Sequence, residues 1–123
     1  VATATIAKTF TFQAAHLLPN HDGKCAQLHG HSYRVDVHAR GPINGPTGKP
    51  DEGMVLDFAR IAAAWRLVEP HLDHRFLNDV LDFPTTAENL ASYLLTRLHD
   101  AQPAVCSVRV WETATSWAEV SLP

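Results

Sequence analysis

The chain has 123 residues, 46% of them hydrophobic and 19% charged, which suits one packed domain over residues 1–123 and excludes a disordered tail. Ten Lys and Arg stand against thirteen Asp and Glu, a net charge of −3 with no long run of either sign. The clustered cations of a nucleic-acid-binding surface are missing, and no apolar run reaches the roughly 18 residues that cross a bilayer.

Residues 5–15 alternate, with Ile6, Phe10, Phe12 and Ala14 on one side and Thr5, Thr9, Thr11 and Gln13 on the other. A period of two predicts a strand covered on one face. The next segment, LLPNHDGKCAQL, carries Pro, Asn, Asp and Gly and reads as an irregular loop. Residues 31–40 alternate again, Tyr33, Val35, Val37 and Ala39 opposing Arg34, Asp36, His38 and Arg40. The breaker-rich GPINGPTGKPDEG is a connection within the domain.

Two helices are predicted next. Asp57 is placed to cap the first, whose apolar residues Phe58, Ile61, Ala62, Trp65 and Leu72 recur at helical spacing, with Pro70 ending or distorting its last turn. Thr85 and Glu88 have capping-box spacing at the start of the second, and Ala87, Leu90, Ala91, Leu94 and Leu98 form its buried stripe. Residues 104–111 and 115–121 read as two further strands. The order β-β-α-α-β-β implies an α+β domain: an antiparallel sheet with helices on one face. Nothing in the sequence covers the sheet edges, and pairing with other subunits is one way to hide them.

The sharpest chemical feature is His29-Gly30-His31. Residues two apart in an extended chain face the same side, so both imidazoles can converge on one point. Antiparallel return of the second strand can bring His16 beside them. Three neutral imidazoles without a fourth ligand describe a catalytic zinc with one open position, whereas a structural site is closed by four ligands. The competing reading is three polar histidines near a turn. His21, His38, His71 and His99 show no comparable spacing.

Cys25 lies four residues before His29 in the polar context DGKCAQ, which suits an accessible thiol better than a buried one. A thiol beside a dication and imidazoles ionises more readily and can serve as base or nucleophile. Cys106, in the apolar run AVCSV, reads as a small core residue. With no C-x-x-C pair and no signal peptide recognised, both are expected as reduced thiols of a cytoplasmic protein. Asp73-His74 either caps a helix end or forms a proton-transfer unit in which the carboxylate orients the ring. Glu112, at the end of an apolar strand, either faces solvent or projects into a pocket to accept paired N–H donors. Spacing does not choose between these.

The phrases FQAAHLLP, KCAQLHGHSY, GMVLDF, LDHRFLND, PTTAENL and VWET, spread over residues 12–113, occur in the order seen in the 6-pyruvoyl-tetrahydropterin synthase superfamily, which this chain resembles. The C-x-x-x-H-G-H spacing resembles the bacterial 6-carboxy-tetrahydropterin synthases of queuosine biosynthesis. The resemblance implies the tunnelling fold, whose subunits join their sheets into a barrel, commonly a homohexamer of two trimers. It implies His16, His29 and His31 as zinc ligands and Cys25 as the catalytic thiol. Asp73 and His74 would be a second catalytic pair, reaching the pocket across a subunit boundary. Glu112 would anchor the pterin, Thr113 adjoining it, and Lys24 could attract the triphosphate of a 7,8-dihydroneopterin triphosphate substrate. A pyruvoyl synthase that stops after triphosphate loss shares the same residues, and a zinc-stabilised binding module without turnover is the alternative of another class.

Overall fold

Alternation of side chains sets the architecture of the computed structural model, which describes residues 2–123. Strand β1 (Thr3–His16) buries Phe12, Ala14 and His16 on one face, and β2 (His29–Pro42) buries Tyr33, Val35, Val37 and Ala39 on the same face. The two pair antiparallel along their whole length, from Thr3 opposite Pro42 to His16 opposite His29. Both outrun the segments predicted from hydrophobic alternation, because the ladder continues through polar residues and Gly30 that carry no apolar signal. The His-Gly-His segment therefore lies inside β2.

Strand β3 (Arg75–Phe76) pairs with β1 in parallel at Ala14 and Ala15, a departure from the wholly antiparallel sheet that was expected. Two residues are too few to show a period. Strands β4 (Val105–Thr113) and β5 (Ser116–Ser121) complete a five-stranded sheet of order β3-β1-β2-β4-β5. Among the described residues, most of the outer edge of β1 has no partner strand, and neither has that of β5.

Helix α1 (Phe58–Val68) begins at the expected cap, where Asp57 Oδ1 accepts from the Ala59 N–H at 2.9 Å. It buries Ile61, Ala64, Trp65 and Val68; Phe58 is half exposed, and Leu72, although buried, lies beyond a 3-10 turn over Glu69–His71 that contains Pro70. Of the predicted stripe, Ile61 and Trp65 are buried within the helix, Leu72 is buried beyond its end, Ala62 is half-buried, and Phe58 alone is half exposed. A short helix α2 (Leu77–Val80) follows β3. Helix α3 (Ala87–Ala101) buries the expected stripe plus Leu95. Its cap is Thr86, whose Oγ1 accepts from the Asn89 N–H at 3.2 Å, and not Thr85. Thr85 is wholly buried and turned toward β1 instead.

Helices α1 and α3 pack over the apolar face to make one core. Phe12 stacks on Tyr33 with ring centroids 4.8 Å apart, and Trp65 stacks on Phe10 at 4.9 Å. The opposite face is polar and is organised around Asp36, 7% exposed, which accepts from Thr9 Oγ1 (2.8 Å), Trp111 Nε1 (2.9 Å) and Arg34 Nε (3.0 Å). Burial pushes the Asp36 pKa up, but the hydrogen bonds from Trp111, Thr9 and Arg34, with the Arg34 charge, outweigh it and hold the carboxyl below its ordinary value. A carboxylate depressed on folding contributes stability above its unfolded pKa of about 3.9, and that contribution is lost as pH falls through the folded value. Asp36→Asn is expected to lower stability at neutral pH by roughly 2 kcal/mol. Urea unfolding at descending pH checks this: the gap to the parent protein narrows in acid below the carboxylate range, and a gap constant with pH contradicts it.

Candidate metal centre and active site

The register of β1 and β2 builds the centre. His16 stands directly opposite His29, and His31 follows two residues along on the same face. Ring centroids are 4.5 Å apart for His16 and His29, 5.1 Å for His16 and His31, and 4.9 Å for His29 and His31. One ligand atom from each lies within 4.8 Å of the others, near the reach of a single ion that takes imidazole nitrogen at about 2.0–2.1 Å.

Two of the rings are oriented from behind. His16 Nδ1 meets the Thr85 carbonyl at 2.9 Å and the Thr85 hydroxyl at 3.0 Å, and His29 Nδ1 meets the Gln27 carbonyl at 2.7 Å. A carbonyl only accepts, so each Nδ1 carries the proton and each Nε2 presents a lone pair, the arrangement typical of metal-bound histidine. His16 Nε2 is buried without a hydrogen-bond partner. A buried orphan nitrogen beside two further imidazoles fits a cation better than any neutral packing. Burial, opposed by the Thr85 hydrogen bond and aided by His29 and His31, lowers the His16 pKa to about 4. Burial also lowers that of His31, against the attraction of Glu112. Both rings are neutral near pH 7, as metal ligation requires.

Glu112 is aimed at this group. Alternation along β4 puts Glu112 on the same face as the buried Val108 and Val110, and the register between β4 and β5 shifts between Trp111 and Thr113, a bulge at this position. Its Oε2 is 3.6 Å from His16 Nε2 and 4.0 Å from His31 Nε2, too long for hydrogen bonds. Of the two readings left open by the sequence, projection into a pocket is the one found. Glu112, Thr113 and His31 line one cavity of about 530 Å³, together with Arg34 and Trp111.

Asp73 and His74 are pinned to β1. The His74 N–H donates to the Gln13 carbonyl at 2.6 Å and the Gln13 N–H donates to Asp73 Oδ1 at 2.9 Å, while Asp73 Oδ2 sits 2.9 Å from His74 Nδ1. His74 takes φ = 60°, the only non-glycine residue in the left-handed region among the described residues. Such a conformation costs free energy and persists where the surroundings enforce it. The Gln13 N–H and then His74 hold the Asp73 carboxyl below the usual carboxylate range. The ionised carboxylate therefore accepts from Nδ1–H and turns Nε2 of an exposed imidazole outward. His74 lines a second cavity, of about 550 Å³, with Gln13, Ser32, Arg75 and His31.

Lys24 and Cys25 belong to a 3-10 turn, Lys24–Ala26, tied to the end of β1 by the Leu18 N–H donating to the Cys25 carbonyl at 2.7 Å. Neither lines these two cavities, and the Cys25 sulfur stands outside the three-histidine group. Sequence reasoning missed Thr85 and Gln13. Thr85 was read for its spacing to Glu88, and Gln13 acts through its backbone, which no side-chain pattern reveals. Thr85→Val preserves shape and removes one of the two acceptors at His16 Nδ1. It is expected to weaken binding of a divalent metal by about tenfold, measured by competition with a chromogenic chelator; unchanged affinity would remove Thr85 from the centre.

Residues 5–122 match the sequence profile of the family described as 6-pyruvoyl tetrahydropterin synthase. Over 121 residues the chain is 44% identical to a 6-carboxy-5,6,7,8-tetrahydropterin synthase of Synechocystis, with 96% of this chain and 93% of that protein covered. It is 36% identical to the protein of the same name from Haemophilus influenzae, covering 93% and 96%. Among solved structures it resembles the 6-pyruvoyl tetrahydropterin synthase of Caenorhabditis elegans, with a TM-score of 0.85, 28% identity and coverage of 99% and 97%. The paired strands, the helices over one face and the histidine group thus lie in a chain that belongs to the 6-pyruvoyl tetrahydropterin synthase family of enzymes.

Proposed function

We propose that the chain is a zinc-dependent 6-carboxy-5,6,7,8-tetrahydropterin synthase, a lyase that converts 7,8-dihydroneopterin triphosphate to 6-carboxytetrahydropterin, acetaldehyde and triphosphate. The observation that carries this reading is the convergence of His16, His29 and His31 with Glu112 at its margin, in a chain so similar to proteins of that name. An all-imidazole set of three, without sulfur, suits a catalytic zinc with an exchangeable position. Bound there, zinc supplies a Lewis acid toward a side-chain hydroxyl of the substrate, making nearby protons easier to remove.

The remaining roles fall to side chains. The pterin's 2-amino group and ring N3–H form a guanidine-like edge, and the Glu112 carboxylate accepts both donors, with Thr113 beside it. Cys25 removes a proton from the substrate side chain as its thiolate. His74, steadied by Asp73, gives and takes protons on the other side. Protons moved from side chain to ring reduce the ring without a nicotinamide. Triphosphate departs by elimination; carbon–carbon cleavage, with one water entering to balance oxygen, releases acetaldehyde and leaves the 6-carboxyl group.

The same proposal includes a homohexamer of two trimers with sheets joined in a barrel. The unpartnered edges of β1 and β5 support it. So does the place of the dyad: Asp73 and His74 immediately precede β3, an edge strand of the sheet, and His74 lines a cavity with Gln13, Ser32 and His31. A neighbour's Asp73 and His74 would complete the pocket across that edge. No helix is long and apolar enough to cross a membrane, which is consistent with action in the cytoplasm.

The likeness to the Caenorhabditis elegans protein keeps a pyruvoyl product as the second reading. Incubation of the zinc-loaded protein with 7,8-dihydroneopterin triphosphate decides by product mass: acetaldehyde and a carboxylated pterin are expected, and a diketone side chain assigns the other reaction. Cys25→Ala is expected to lower turnover by at least about 10²-fold with zinc content unchanged, and retained activity would place the base elsewhere. Chelation is expected to abolish activity while far-UV circular dichroism stays native. Loss of the fold on chelation would instead mark a structural site.

A further inference from the structure

A substrate carrying three phosphates needs a cation, and the chain as a whole carries a net charge of −3. Two arginines line the cavities that border the histidine group. Arg34 is already engaged: its Nε is 3.0 Å from Asp36 Oδ1, and its guanidinium lies over Trp111 at 5.0 Å. Arg75 is exposed, lines the cavity that holds His74, and forms no ion pair among the described residues. The acid nearest to it in sequence, Asp73, is committed at both oxygens, Oδ1 to the Gln13 N–H and Oδ2 to His74 Nδ1. Pairing of β3 with β1 at Ala14 fixes the backbone of Arg75 beside the dyad.

From this arrangement we infer that Arg75 is the residue that receives the triphosphate, its guanidinium bonding phosphate oxygens while His74 faces the reacting side chain. A planar fork of donors matches two phosphate oxygens at once. The substrate's leaving group is attached to the same short side chain on which His74 acts, so the two residues must be neighbours, and here they are consecutive. The assignment holds whichever subunit's zinc the cavity serves, because Arg75 travels with His74. It also moves the role away from Lys24, which lines neither cavity.

This inference rests on the triphosphorylated substrate proposed above, and one titration separates the two. Zinc-loaded protein bearing Cys25→Ala, to prevent turnover, is titrated with 7,8-dihydroneopterin triphosphate and with unphosphorylated 7,8-dihydroneopterin, following pterin fluorescence. Arg75→Gln is expected to weaken the triphosphate by about tenfold or more and to leave dihydroneopterin unchanged. Arg75→Lys is expected to recover part of the loss. Arg97→Gln, removing a cation that stacks on Tyr93 at 5.2 Å on α3, is expected to change neither. Equal triphosphate affinity with and without Arg75, or an equal loss in Arg97→Gln, overturns the inference alone. If the parent protein binds neither ligand, the substrate reading itself fails.

Discussion

One register between two strands decides where this chain can do chemistry. His16 closes β1 opposite His29 at the start of β2, and His31 lies on the same face two residues on. A slip of one residue would turn His29 and His31 to the other side of the sheet, and with them Tyr33, Val35 and Val37. Those three side chains are wholly buried, each contributing about 1.5–3 kcal/mol from burial. The core register therefore brings the three imidazoles together, and the hydrogen bonds at Thr85 and Gln27 set the orientation of two of the rings.

The end of β1 organises the second set of groups as well. Three residues before His16, the Gln13 N–H donates to the Asp73 carboxylate and the Gln13 carbonyl accepts from the His74 N–H. One short stretch thus presents a neutral imidazole group on its core side and an ionised carboxylate with its imidazole at its edge. The charge states follow from place: burial keeps His16 and His31 neutral, whereas a half-exposed Asp73 is kept charged by the donors around it. Acid-base work and metal binding need opposite environments, and a strand with one buried and one open side supplies both.

Much of this was legible in the sequence, for identifiable reasons. Alternation over Phe10, Phe12 and Ala14, and over Tyr33 to Ala39, gave the two long strands, and H-x-H spacing gave two converging rings. The helical stripes of Leu90, Ala91, Leu94 and Leu98 were equally plain. What escaped depends on contacts distant in sequence or on the backbone. β3 is two residues long and exists because Ala14 and Ala15 accept it. Thr85 has the spacing of a cap but is drawn inward by His16, 69 positions away, leaving Thr86 to cap α3. The direction of Glu112 is set by the neighbours it meets, His16 and His31, which are far from it in sequence, and the left-handed φ of His74 has no composition signal. Cys25 is the reverse case: its motif is plain, yet a single chain leaves its sulfur outside the histidine group.

The proposed centre is a metal held by three imidazoles that leave it a position to exchange. X-ray absorption at the zinc edge of the purified holoprotein tests this most directly. The account predicts a shell of three imidazole nitrogens near about 2.0–2.1 Å and one exchangeable oxygen. A sulfur scatterer at about 2.3 Å, or a spectrum unchanged by His29→Ala, would contradict it.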